Sequence, residues 1–227
     1  MPDVSIESKT EEITPAFYIH SRFYFPEILN SLNLLGEGVE VGTFQGAYSA
    51  WILERWQGKK LYSVDPWKSF PREEYVSVMN NFSKEEYEKH YHEAVSMLSK
   101  YGDRSEIIRK TSEEAAPLFA DASLDFVYLD GQHYYEAVRQ DIASWWIKVK
   151  PLGILAGHDY VADGHNRFGI YGVKRAVNEF VRANNLSLIV SQDQPLEQFL
   201  ENNTSLKTPP DDELLAPPSW FIVKPQF

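Results

Sequence analysis

The sequence predicts an α/β fold: a mostly parallel sheet covered by helices on both faces. Short apolar segments alternate with amphipathic helical stretches along most of the chain. The 227 residues suit one domain with a buried core. The first apolar segment also runs into a glycine-bearing turn, "EVGTFQG" at 40–46, as strand-turn-helix units do.

Residues 1–15 are polar, and the aromatic-rich stretch "AFYIHSRFYFPEILNSLNLL" reads as a helical entry segment interrupted at Pro26. Seven strands follow, "GVEVG" (38–42), "KLYSVD" (60–65), "SEIIRK" (105–110), "LDFVYLD" (124–130), "GILAGHDY" (153–160), "LSLIVS" (186–191) and "SWFIVKP" (219–225). A helix is expected over 43–57. Another starts at the capping box of Ser83 and Glu86, ends at Gly102 and carries Tyr87, Tyr91 and Leu98 on one face. His90 and His92 belong to its solvent side. "YYEAVRQDIASWWIKV" and "VKRAVNEFVRANN" complete the helices. Residues 66–82 and the proline-rich 192–218 are long connections of the kind that serve as lids, substrate loops or dimer contacts.

A formal charge of -11 and the lack of a basic cluster disfavour nucleic acid and anionic membrane surfaces as partners. Without cysteine there are no disulfides, thiolate metal sites or cysteine nucleophiles. The N-terminal residues carry acids and no apolar run, so a cytoplasmic location is expected. An acidic chain can still bind a cationic small molecule, and a small-molecule substrate is the expected partner. A homodimer is a further expectation, from the long C-terminal link and the N-terminal aromatic segment.

The turn at 40–46 lacks the spacing of a dinucleotide fingerprint, G-x-G-x-x-G. Glu40 at the end of the first strand would repel a pyrophosphate and suit a cationic amino-acid head group. Asp65 ends the second strand, where a carboxylate commonly accepts from a ribose diol. A ligand with ribose, a positive centre and no phosphate fits both, and S-adenosylmethionine is such a ligand. The alternative is that Glu40 caps the next helix and Asp65 ends its strand at the surface.

The blocks "VEVGTFQGAYS", "LYSVDPW", "LDFVYLDGQHYYEAVRQD" and "PLGILAGHDY", in that order, resemble class I S-adenosylmethionine-dependent methyltransferases. The similarity is to the small single-domain branch that includes macrolide-sugar O-methyltransferases, and more distantly to catechol O-methyltransferase. It covers roughly residues 36–190, and Leu152 departs from it where relatives have glycine. The resemblance implies a Rossmann-like three-layer αβα sandwich with a seven-stranded sheet ordered 3-2-1-4-5-7-6, its last strand antiparallel. It divides the one domain into an N-terminal helical extension (1–35), a cofactor-binding core (36–191) and a long loop with the final strand (192–227). It implies S-adenosylmethionine held by Glu40, Gly42, Thr43, Gly46, Asp65, Ser112 and Asp130. Ser112 reads equally as a helix N-cap with Glu113 and Glu114 behind it.

Asp130 and Asp159 end neighbouring strands in that order, close enough for one cation to bridge them. The bland reading is two helix-capping aspartates. The resemblance suggests magnesium or manganese on Asp130, Asp159 and His158, although relatives carry a carboxylate at the last position and histidine is a poor magnesium ligand. His133, three residues beyond Asp130, is the candidate general base for a hydroxyl nucleophile, with Asp130 beside it as the second catalytic residue. A loop histidine can equally be solvated. Tyr18, Phe23, Tyr24, Trp67 and Tyr134 are candidates to line a substrate pocket or to form core; Arg167 and Tyr171 could touch substrate. Two other functions compete with O-methyl transfer. One is cofactor binding without catalysis; the other is metal-assisted hydrolysis at Asp130, His133 and Asp159.

Overall fold

The computed structural model describes residues 13–71, 77–166, 169–192 and 217–226, leaving out the side chains of Tyr18 and Asn166. Its strands and helices, in chain order, are β1 (Phe17–Ile19), α1 (Phe25–Ser31), β2 (Glu37–Val41), α2 (Ala47–Arg55), β3 (Lys60–Val64), α3 (Lys84–Leu98), β4 (Ser105–Ile108), α4 (Ser112–Ala115), β5 (Leu124–Leu129), α5 (Tyr135–Trp146), β6 (Val149–Gly157), β7 (Gly164–Asn166), β8 (Gly169–Tyr171), α6 (Val173–Ala183), β9 (Ile189–Ser191) and β10 (Trp220–Val223).

The main sheet is ordered β4-β3-β2-β5-β6-β10-β9-β1. Only β10 runs antiparallel, to both β6 and β9. The seven expected strands therefore lie in the expected order of a Rossmann-like methyltransferase sheet. An eighth, β1, adds to the edge by pairing Phe17 to Ile19 in parallel with Ile189 to Ser191.

That eighth strand corrects the expectation of a helix across the N-terminal segment. Residues 17–19 find backbone partners on the open edge of β9, and Ser21 then caps a 3-10 turn at Arg22–Tyr24. Pro26 starts α1 rather than interrupting it, because a proline in the first helical turn sacrifices only an amide that has no intrahelical acceptor.

Period-two alternation divides the central strands between two cores. Val39, Val41, Val127 and Leu129 face Val138, Ile142 and Trp145 of α5 and Val173 and Val177 of α6. Phe126 and Tyr128 face the opposite way, against Phe25 and Leu29 of α1 and Ile52 and Trp56 nearby. With both faces covered, β5 is buried at all six positions, as strands in the middle of a parallel sheet are. The capping box of Ser83 and Glu86 is formed as expected. His90, however, is buried and not on the solvent side; its ring packs on Phe44 and Phe82, 4.4 and 4.9 Å between centroids. His92 is exposed.

Leu152 occupies the left-handed region at φ +63, the conformation that the glycine of relatives would take without strain. A small hairpin, β7 with β8, was not anticipated, and an isolated bridge joins its Gly169 to Ser77. Among the described residues no helix is long and apolar enough to cross a membrane. The connection 192–218 lies almost wholly outside the described residues.

Candidate active site

Connections leave the sheet in opposite directions from β2 and β5, and a crevice opens at the C-terminal ends of those strands. It holds a cavity of about 790 Å³, within the range of small-molecule sites. Gly42, Asp65, Ser112, Asp130, His133, His158 and Asp159 all line it.

Gly42 takes φ +93, and a β-carbon there would sit 1.9 Å from the Asp130 carbonyl oxygen. The bare backbone thus lets the β2 turn close against the end of β5, where the Asp130 amide donates to Val41 at 2.7 Å. Gly46, at φ +89, begins α2 and backs onto Ala94 and Leu98 of α3. Gly46, Thr43 and Glu40 stand behind the cavity wall. Thr43 is buried, with its hydroxyl 3.4 Å from the Val64 carbonyl.

Glu40 is 1% exposed and accepts a hydrogen bond from Ser49, whose hydroxyl lies 2.6 Å from that of Ser63. Burial, only partly offset by Ser49 and Arg22, pushes its pKa up to about 8. Asp65 projects into the cavity and accepts from the amides of Phe44, at 3.0 Å, and Trp67, at 2.7 Å. Burial raises its pKa despite those two bonds.

Ser112 lines the cavity but does not cap α4. Thr111 does, in a capping box with Glu114. The Ser112 hydroxyl accepts from Trp145 Nε1 at 2.8 Å and donates to Asp141 of α5. Asp141 escaped the sequence reading; burial pushes its pKa up to about 7. No local pattern separates it from the other acids of an amphipathic helix.

The strand ends bring two acids and two histidines together. His133 Nε2 is 3.0 Å from Asp159 Oδ2 and 3.9 Å from Asp130 Oδ1. His158 Nδ1 is 3.4 Å from Asp159 Oδ2 and 3.6 Å from Asp130 Oδ1. The His133 ring stacks on Tyr171, centroids 5.1 Å apart and planes 14° from parallel. Burial favours neutral His133, but Asp159 and Asp130 outweigh it and raise its pKa. Burial pushes both acids up as well, and the histidines and Arg22 more than reverse this, holding both below the ordinary carboxylate range. The bland alternative for His133, a solvated loop histidine, does not describe a side chain 15% exposed between two carboxylates.

Arg22 is a second residue that sequence reasoning missed. It is 6% exposed, and its Nη1 lies 3.2 Å from Asp130 Oδ2 across 108 residues of chain. Ligand atoms of Asp130, His133 and Asp159 lie within 4.8 Å of one another, so one ion could touch all three. The guanidinium already on Asp130 opposes that: a fixed positive charge shares the carboxylate that a divalent ion would need. Two imidazoles and two carboxylates also suit manganese, iron or zinc better than magnesium. As they stand, these residues fit a magnesium site poorly.

Of the aromatics, Trp67, Tyr134 and Tyr171 line the cavity, whereas Phe23 packs on Trp51 in the core, 4.9 Å between centroids. His165 is exposed on β7. Arg167 and the side chain of Tyr18 lie outside the described residues.

The model of a family described as methyltransferase domain matches residues 39–160, more than half of the chain. A stretch of 84 residues is 32% identical to the uncharacterized protein y4gI of Sinorhizobium fredii, spanning 37% of this chain and 9% of that protein. Among solved structures, the O-methyltransferase TomG of Streptomyces achromogenes, in complex with S-adenosylmethionine, is 14% identical with a TM-score of 0.57; the match covers 89% of this chain and 79% of that one. An rRNA methylase of Streptococcus thermophilus is 15% identical with a TM-score of 0.54, over 89% and 95%. A 1,6-didemethyltoxoflavin-N1-methyltransferase of Burkholderia thailandensis, with S-adenosylhomocysteine, is 15% identical with a TM-score of 0.51, over 88% and 76%. These likenesses show a shared fold across oxygen, nitrogen and RNA acceptors. The strand order, the crevice at the ends of β2 and β5 and the match over residues 39–160 agree, and the chain belongs to the methyltransferase-domain family, in the class I S-adenosylmethionine-dependent group.

Proposed function

We propose that this protein transfers the methyl group of S-adenosylmethionine to a hydroxyl of a small molecule, with the His133 imidazole as general base. The observation that carries the reading is the cluster of His133, Asp159 and Asp130 beside Gly42 in one cavity. The acceptor oxygen attacks the methyl carbon, the carbon–sulfur bond breaks, and its electron pair neutralises the sulfonium. The proton leaves the oxygen for His133, and the imidazolium so formed is stabilised by Asp159 Oδ2, 3.0 Å away. Asp130 Oδ1, 3.9 Å from the same Nε2, helps to orient the imidazole.

In the same reading Gly42 and Asp65 hold the donor's methionine and ribose from the wall. Glu40, Thr43 and Gly46 shape the turn from behind, and Ser112 borders the adenine. No step is routed through a metal. The net charge of -11 supports a small acceptor over nucleic acid. A homodimer and a cytoplasmic setting remain part of the proposal.

The test is a calorimetric titration of S-adenosylhomocysteine into chelator-treated protein. Micromolar binding at one site per chain is expected. Absence of binding at millimolar ligand would sink the methyltransferase reading and turn attention to hydrolysis at the same three residues.

A further inference from the structure

Arg22 reaches the cluster from the far end of the chain, and everything around it fixes it there. Its carbonyl accepts from Tyr48 at 3.1 Å, and the next carbonyl, of Phe23, accepts from Trp51 Nε1 at 3.0 Å. Its guanidinium carbon lies 4.5 Å from the Tyr48 ring centroid and 5.6 Å from that of Phe23. The charged end meets Asp130 Oδ2 at 3.2 Å, and its field also lowers the pKa of Asp159 and opposes the rise at Glu40.

Two carboxylates at adjacent strand ends need compensating charge, and a divalent ion is one way to supply it. Here the fold supplies a permanent one. Arginine suits the task because it stays protonated when buried and stacks on aromatic faces. Arg22 is absent from the cavity wall, so it acts behind Asp130 and not on a ligand.

We propose that Arg22 takes the place of a divalent cation: it is the resident counter-charge that fixes Asp130 and leaves this site independent of metal. Resting on the methyl-transfer reading, this makes Arg22 a positioning residue, acting through Asp130. A divalent ion sharing Asp130 with the guanidinium would be repelled by more than about a hundredfold in affinity at an effective dielectric near 20.

The experiment is titration of Mn²⁺ into the chelator-treated full chain, followed by the electron paramagnetic resonance signal of the free ion. Wild type is expected to bind none below about 1 mM, a weak-binding limit. Arg22→Gln should acquire one site at least about a hundredfold tighter. Adding Asp130→Asn should abolish it, and Arg22→Lys, which keeps the charge, should behave as wild type. A change in packing alone would not create an Asp130-dependent ion site.

Micromolar Mn²⁺ binding by wild type, or stoichiometric metal in the protein as purified, overturns the proposal. So does an Arg22→Gln protein that melts cooperatively yet binds no better than wild type. If that variant fails to fold, the wild-type titration decides by itself. S-adenosylhomocysteine binding is read separately, so failure of the cofactor reading and failure of the Arg22 proposal remain distinguishable.

Discussion

Glu40→Gln should make the protein more stable above neutral pH, and the gain should grow with pH. In the folded chain Glu40 lies under the β2 turn against Ser49 and Ser63, with Arg22, Asp130 and Asp65 as the charges that act on it. Burial holds its pKa at about 8, against 4.5 for an ordinary glutamate. The folded state therefore keeps a proton that the unfolded chain loses above 4.5. The stability linked to that proton is fully present below pH 4.5 and is lost as pH rises to about 8, at about 1.4 kcal/mol per pH unit. Between pH 6 and pH 8 that is a loss of about 2–3 kcal/mol, a large share of the roughly 5–15 kcal/mol that stabilises a typical domain.

Glutamine keeps an acceptor for the Ser49 hydroxyl and carries no titrating proton. Urea denaturation of both proteins at half-unit steps from pH 5.5 to 8.5 isolates the effect, since other titrating groups cancel in the difference. The stability gap in favour of the variant should widen by about 2–3 kcal/mol from pH 6 to pH 8. A gap that stays constant across that range would refute the reasoning, because Glu40 would then titrate alike in both states.

Gly42→Ala should cost about 2–5 kcal/mol from left-handed strain and overpacking, since its β-carbon would press on the Asp130 carbonyl; urea midpoints with and without S-adenosylhomocysteine measure this. Leu152→Gly should raise stability slightly, by roughly 0–1 kcal/mol. Relief of left-handed strain outweighs the entropy of glycine there, because the leucine is 54% exposed and has little packing to lose. A melting temperature lowered by several degrees would contradict that. His133→Ala should leave S-adenosylhomocysteine affinity within about twofold while slowing methyl transfer by about 10²–10⁴, once an acceptor is found by substrate screening. Loss of binding and rate together would move His133 from base to donor contact.

Much of the architecture was legible because its signals are local. Alternating strands with β-branched residues, the Ser83 and Glu86 capping box and the turn glycines report on neighbours a few residues away. The strand order of the seven core strands followed from the resemblance of four blocks, and so did the convergence of Asp130, His133, His158 and Asp159. Signals that fit two structures misled. "AFYIHSRFY" is apolar enough for helix or strand, and the open edge of β9 made β1. His90 reads as a polar helix position until Phe44 and Phe82 close over it.

By itself the sequence determined the α/β class, the turn after the first strand and the residue types at the strand ends, because periodicity and turn chemistry are written in consecutive residues. Only the tertiary structure decided that Arg22 meets Asp130, that Glu40 is sealed behind the turn rather than on the cavity wall, and that Asp141 faces Ser112. The Arg22 and Asp141 pairings join residues 108 and 29 positions apart, and folding alone sets the distance and burial that define their chemistry.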